Sequence, residues 1–456
     1  MTGAYQEFLA AKTQVADGHG FTPEVLPAWL FPFQRSLVEW AARQGRAALF
    51  ADCGLGKGPM QLVWAENVRR RTGKPVLVVA PLAVSFQTQL EAEKFGVDAA
   101  VSRDGRPTAG ITITNYERLA RFDPARFGGV VCDESSAIKA FDGKTRALVT
   151  EFLRTLRYRL LATATAAPND YIELGTSSEA LGCLGHIDML NRFFTNQHRT
   201  SGTNRRQGQA AEWRLKGWAE EPFWRWVASW ARAMRRPSDL GFDDAGFALP
   251  PLKHRHHIVK AAVPRDGQLF DLPAVGLAEE REEARRTLVE RCEAAAAALD
   301  DADTAVAWCQ LNDEGRLLTR LIDGAVEVAG SDSPEAKEEK LAAFSRGDIK
   351  RLVTKPSIGA WGLNWQHCSR MSYFPDHSYE RWYQAVRRMW RFGQTCAVVV
   401  DVVSAEGGAN ALRNLQRKAA QADRMFDALV THMRQAAAAP GAESHDQPVE
   451  VPAWAC

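Results

Sequence analysis

Ala47-Ala48-Leu49-Phe50-Ala51 runs directly into Asp52-Cys53-Gly54-Leu55-Gly56-Lys57-Gly58-Pro59. The first five residues are an uninterrupted short apolar run, the pattern of a strand covered on both faces. Gly54 and Gly56 permit a tight turn, and Pro59 suits the first turn of a helix. A strand that turns through glycines into a helix gathers backbone N–H groups around one point, which suits a phosphate. Lys57 adds a point charge for β and γ phosphates. The stretch predicts a parallel α/β sheet with a nucleotide site at the carboxyl end of its first strand. Gly54, Leu55, Gly56, Lys57 and Gly58 are its candidate binding residues. At position 58 such a loop ordinarily carries Ser or Thr, whose hydroxyl ligates Mg²⁺; here the residue is glycine.

Outward from this loop the same rhythm continues. Apolar runs at Val76–Ala80, Ile111–Thr114, Val130–Cys132 and Leu160–Ala164 read as further buried strands, with helices at Met60–Arg71 and Phe86–Lys94 between them. Strands that alternate with helices in this way build parallel sheets, which bind ligands at the strands' carboxyl ends. The fourth run ends in Asp133-Glu134-Ser135-Ser136. Two acids at such a position divide into a metal ligand acting through water, Asp133, and a base that orients attacking water, Glu134.

Composition sets the outer limits. A chain of 456 residues exceeds one ordinary core, so two or three domains are expected. No apolar run reaches the roughly 18 residues of a membrane span, and the N-terminus lacks a signal-peptide layout, so no membrane partner and a cytoplasmic location are expected. The eight cysteines contain no CxxC pair, which argues against a zinc ribbon or a disulfide framework. A net charge of +2 requires that any phosphate-binding surface be a local basic strip.

The ordered motifs resemble a superfamily-two helicase, of the Swi/Snf-type branch and of the DEAD/DEAH-like helicases carried by phages and prophages. Phe33-Gln34-Arg35 resembles the adenine-reading segment, which implies Gln34 as a nucleotide contact. Pro81-Leu82 and Thr114-Asn115-Tyr116-Glu117 resemble motifs that touch the nucleic-acid backbone. Asp133-Glu134 is similar to the second Walker motif. Thr163-Ala164-Thr165 resembles the segment coupling hydrolysis to movement, and Ala167-Pro168-Asn169-Asp170-Tyr171 has a phage-like style. In the second half, strands are expected at Ala305–Cys309, Val326–Gly330 and Arg351–Thr354, with helices at Asp313–Asp323 and Pro334–Arg346. Ser357-Ile-Gly-Ala-Trp-Gly362-Leu-Asn364 resembles the glycine-rich motif contacting ATP, through Gly362 and Asn364, and nucleic acid, through Ser357. Gln384-Ala-Val-Arg-Arg388-Met-Trp-Arg391-Phe-Gly-Gln394 is similar to the arginine motif. Gln384 is implied in coupling, and Arg388 and Arg391 as arginine fingers. Their spacing of three puts both on one face of a helix.

The resemblance implies two RecA-like α/β lobes with parallel sheets flanked by helices, and ATP hydrolysis with Mg²⁺ between them. The expected organisation is an extension (1–30), lobe 1 (31–172), a mainly helical Trp/Arg-rich insertion (173–250), a connector with a helix (251–300), lobe 2 (301–435) and a flexible tail (436–456). In the insertion, Trp213, Trp218, Trp224, Trp226 and Trp230 alternate with Arg and Lys. This pattern suits a small core of its own in preference to a base-stacking groove. The His254, His256 and His257 cluster reads as a connector in preference to a metal site. Function divides into an ATP-dependent translocase or helicase, with DNA as the expected partner, and an ATP-switched clamp with weak hydrolysis, for which Gly58 speaks. Replication or recombination proteins are the partners expected of a motor subunit.

Overall fold

The computed structural model describes residues 19–140, 143–167, 170–196, 213–261, 277–359 and 363–438. Gly362, Pro168, Asn169 and the tail from 439 onward, all singled out in the sequence, lie outside the described residues. Two parallel sheets form the frame. The first contains β1 (Arg46–Ala51), β2 (Val76–Ala80), β3 (Ala99–Val101), β4 (Ile111–Asn115), β5 (Gly129–Asp133) and β6 (Tyr158–Ala162). β7 (Phe194–Asn196) and β8 (Trp213–Leu215) form a small antiparallel pair, and β9 (Ala231–Met234) returns to the first sheet. The first sheet's order is β3-β4-β2-β5-β6-β1-β9. Every residue of β2, β4, β5 and β6 is buried, as expected of strands covered on both faces; in β4 this includes the threonines of Ile-Thr-Ile-Thr-Asn and in β6 it includes Arg159.

The second sheet is built from β10 (Leu252–Val259), β11 (Ala305–Trp308), β12 (Ala325–Val328), β13 (Arg351–Thr354), β14 (Arg370–Tyr373) and β15 (Val398–Ala405). Its order is β10-β15-β14-β11-β13-β12. The histidine-rich segment expected as a connector is therefore a full-length edge strand, paired from Leu252 with Val398 to Val259 with Ala405. Alternation along it sends His257 Nε2 to Asp401 Oδ1 at 2.8 Å and sets His254 against Trp382. The single helix expected in the connector is two helices, Leu277–Arg286 and Leu288–Leu299.

The architecture is α/β, two RecA-like lobes with helices on their parallel sheets and a mainly helical Trp-rich segment between them. That segment's buried tryptophans and phenylalanines pack into the lobe 1 core. Phe193, Phe223, Trp224 and Trp230 are buried together with Ala48 and Phe50 of β1 in one cluster belonging to lobe 1. The reason is topological: helix Glu220–Trp230 feeds straight into β9, which pairs in parallel with β1 and draws the tryptophans onto the sheet. The final helix, Ala409–Ala438, leaves lobe 2 after β15 and crosses back. Its Met425, Phe426, Leu429, Val430 and Met433 complete the same lobe 1 cluster. Among the described residues no helix is long and apolar enough to cross a membrane.

Candidate active site

The carboxyl ends of β1, β6 and β5 lie side by side and deliver the phosphate loop, Thr163 and the acid pair. After Ala51 the chain turns through Gly54 and Gly56, both at positive φ, into helix Lys57–Thr72. Lys57 Nζ donates to the carbonyls of Ala51 at 2.9 Å and Asp52 at 3.4 Å, at the mouth of the loop. Gln34 is buried and its amide is used twice. Nε2 donates to the Leu55 carbonyl at 2.9 Å, and Oε1 accepts the Phe31 amide at 3.0 Å. Its side chain thus braces the phosphate loop.

Asp133 and Glu134 are both buried. Asp133 Oδ1 accepts from Gln61 Nε2 at 2.7 Å and from the Glu134 amide at 3.0 Å. Burial pushes the Asp133 carboxyl up, against the pull of Gln61 and Lys57. Burial likewise raises Glu134, with Lys57 opposing and Asp133 adding to the rise. Glu134 has φ 46°, the one non-glycine residue at positive φ among the described residues. Backbone strain of this kind is held by its surroundings and gathers at functional sites.

From lobe 2, Asn364, Arg388 and Arg391 close the opposite wall. Together with Lys57, Asp133 and Glu134 they line a cavity of about 100 Å³, which adjoins an outer one of about 340 Å³ bordered by Gly54, Asn364 and Phe392. The two arginines converge differently from the helical spacing expected of them. Helix Tyr379–Arg387 ends before either, and the chain then turns. Both instead donate to the Leu363 carbonyl, Arg388 Nη1 at 2.9 Å and Arg391 Nη1 at 3.4 Å. Gln384 Oε1 accepts from Arg388 Nη2 at 2.7 Å and fixes that guanidinium. The lobes approach closely: a Cβ on Gly54 would fall 2.6 Å from the Phe392 amide nitrogen.

Thr163 and Thr165 connect the lobes. Thr163 Oγ1 donates to Glu134 Oε2 at 3.4 Å and accepts the Thr165 amide at 3.1 Å. Thr165 Oγ1 then donates to Glu380 Oε1 of lobe 2 at 3.3 Å. A path of hydrogen bonds thus runs from the acid pair to helix Tyr379–Arg387.

The residues expected on nucleic acid divide. Pro81 caps the start of helix Leu82–Lys94, and Ser357 is exposed on the short helix Pro356–Gly359. Thr114, Asn115 and Tyr116 are instead buried. Thr114 Oγ1 donates to the Ser102 carbonyl at 3.3 Å, and Asn115 caps a 3₁₀ turn through the Arg118 amide at 3.0 Å. Tyr116 donates its hydroxyl to the Asp133 carbonyl at 2.8 Å. These three side chains hold the sheet and the acid pair in place.

Four participants escaped the sequence reading. Asp52 of the phosphate loop is buried and takes hydrogen bonds from the Arg387 guanidinium and the Tyr383 hydroxyl, both of lobe 2. The charge that crosses to the loop is thus Arg387, one position before the expected finger. The Arg387-Arg388 pair was the available signal, since two adjacent arginines point to different partners. The fourth is Glu91, on helix Leu82–Lys94, which reaches Gly58; nothing local in the sequence announces it.

Among the described residues no group of three or more His, Cys, Asp and Glu gathers as a metal site. Mg²⁺ needs less, since it keeps several waters and takes one or two carboxylates besides phosphate oxygens. The hard oxygen donors of Asp133 and Glu91, with space for phosphates beside Lys57, fit that requirement.

No family model matches the chain, and no curated protein matches it. Among solved structures, a SWI2/SNF2 ATPase core from Sulfolobus solfataricus in complex with dsDNA is 18% identical at a TM-score of 0.42, covering 91% of this chain and 96% of that one. A variant of Dbp5 from S. cerevisiae bound to RNA and ADP BeF3 is 11% identical at a TM-score of 0.52, covering 89% of this chain and 98% of that one. At such identity the likeness to Dbp5 is one of fold, two RecA-like α/β lobes.

Proposed function

We propose that this chain hydrolyses ATP in the cleft between its lobes and uses the cycle to move along nucleic acid, DNA in the first place. The carrying observation is the convergence of Lys57, Asp133 and Glu134 from one lobe with Asn364, Arg388 and Arg391 from the other on one cavity. Lys57, now turned to the Ala51 and Asp52 carbonyls, exchanges them for phosphate oxygens when nucleotide enters. Mg²⁺, when bound, offsets the charge that builds on the phosphates in the transition state. Asp133 holds it through water. Glu134 orients the attacking water and accepts its proton; burial raises its affinity for that proton. Arg388 and Arg391 stabilise the γ-phosphate from lobe 2.

Movement follows from the same contacts. A change at Glu134 is felt at Glu380 through Thr163 and Thr165. Pro81 and Ser357 stand on different lobes, so a backbone gripped by both is drawn along as the cleft opens and closes. Binding of this kind depends steeply on salt.

The reading is tested by ATP turnover of the purified chain alone and with single-stranded DNA, duplex DNA or RNA. Stimulation by one nucleic acid is expected. Glu134→Gln should lower turnover on the order of 10²–10⁴-fold. Tight ATP-dependent binding of DNA by the wild type, with turnover no higher than the variant's, would replace this reading with the ATP-switched clamp, which Gly58 favours.

A further inference from the structure

Position 58 is where the helix after a phosphate loop presents a hydroxyl to the metal, and this chain has no side chain there. The space is filled from elsewhere. A Cβ built on Gly58 would lie 1.9 Å from Oε2 of Glu91 and 3.1 Å from its Cδ. The Glu91 carboxylate therefore stands in the volume a Ser or Thr side chain would take, and while it stands there only glycine fits.

The surroundings suit a ligand and not a stray surface acid. Glu91 lines both parts of the cleft cavity, beside Lys57 in the inner part and Phe392 in the outer. It has a side-chain hydrogen bond with Gln87 and stands near Arg391, Lys94 and Lys57. Glu91 and Asp133 line the same inner cavity, and two carboxylates facing one space are suited to a divalent cation between them. A second sign is at Gln61: its Nε2 holds Asp133, while its Oε1 is buried without a hydrogen-bond partner among the described residues. An oxygen acceptor left open beside Asp133 is suited to a metal-bound water.

We propose that Glu91 supplies the metal ligand that Gly58 cannot, so that Glu91 and Asp133 together hold the Mg²⁺ of the bound nucleotide. Glycine at 58 is then the counterpart of Glu91 and not a lesion. The inference rests on the nucleotide reading of the cleft and names the ligand within it.

The test measures Mn²⁺, as a spectroscopic stand-in for Mg²⁺, by electron paramagnetic resonance titration of the full chain saturated with ADP. ADP affinity is measured separately in EDTA. Glu91→Gln is expected to weaken Mn²⁺ binding about tenfold or more while leaving metal-free ADP affinity unchanged. Gly58→Ser in the Glu91→Ala background is expected to recover most of the loss, because the hydroxyl then has room. Unchanged Mn²⁺ binding in Glu91→Gln, an equal loss of metal-free ADP affinity, or no recovery in the double variant each overturns the assignment. Failure of the wild type to bind ADP at all overturns the nucleotide reading itself, and is distinguished by the EDTA measurement.

Discussion

At the scale of single residues, the acid pair is held by its neighbours. Tyr116 and Thr163, themselves in motifs, bond Asp133 and Glu134, and Gln61, which no motif mentions, bonds Asp133 from the helix after the glycine loop. Gly58 shows how a substitution is judged by space as well as chemistry. From chemistry alone, Gly58→Thr restores a metal-binding hydroxyl and raises turnover. In the folded protein the new Cβ meets the Glu91 carboxylate at 1.9 Å. That carboxylate is the end of a flexible side chain on a cavity, so it can give way at little cost to stability, but it then leaves its place beside Gly58. Gly58→Thr alone is therefore expected to leave thermal stability nearly unchanged and to lower turnover, as read by scanning calorimetry and phosphate release. A gain in turnover from the single variant would mean that the threonine hydroxyl serves in place of Glu91.

At the scale of elements, helix Tyr379–Arg387 and the phosphate loop form the lobes' main polar contact. Its Arg387 and Tyr383 both bond the buried Asp52. Removing one partner of such a buried pair leaves an uncompensated charge, with a loss of about 3–5 kcal/mol. Arg387→Ala is expected to show that loss in urea unfolding, and Asp52→Asn combined with Arg387→Met to lose much less. If the double variant loses as much as the two single variants summed, the pair has no coupling and the lobes are held elsewhere. The same helix carries Glu380, which bonds Thr165, and Gln384, which bonds Arg388. One element thus touches Asp52, Thr165 and Arg388, so its displacement reaches all three together.

At the scale of the whole molecule, the last helix makes the two lobes one stability problem. Near its start Lys418 Nζ donates to the His377 carbonyl of lobe 2 at 2.7 Å. Farther on, Arg235 Nη2 donates to its Asp423 Oδ1 at 2.9 Å, and Leu429 is buried in the lobe 1 core beside Trp224 and Trp230. Leu429→Ala is expected to cost about 2–5 kcal/mol by leaving a cavity in lobe 1, although the residue lies in sequence after lobe 2. Differential scanning calorimetry would show which lobe's transition falls. A drop confined to lobe 2 would contradict the packing described here.

What the sequence by itself determined is the frame: parallel sheets, the phosphate loop on β1, the acid pair on β5 and the order of motifs across two lobes. These were legible because each rests on local patterns, a buried apolar run, a glycine turn or an acid at a strand's end, that neighbouring residues define. Only the tertiary structure decided which residues meet. It carried β9 and its tryptophans into lobe 1 and made the histidine segment an edge strand. It buried Thr114, Asn115 and Tyr116, gave Arg387 and not Arg388 to the phosphate loop, and set Glu91 against Gly58. Apart from Asn115, which caps onto Arg118 three residues on, these contacts join residues well separated along the chain, and the spacing of residues in a sequence carries no record of which distant side chain will fill a given space.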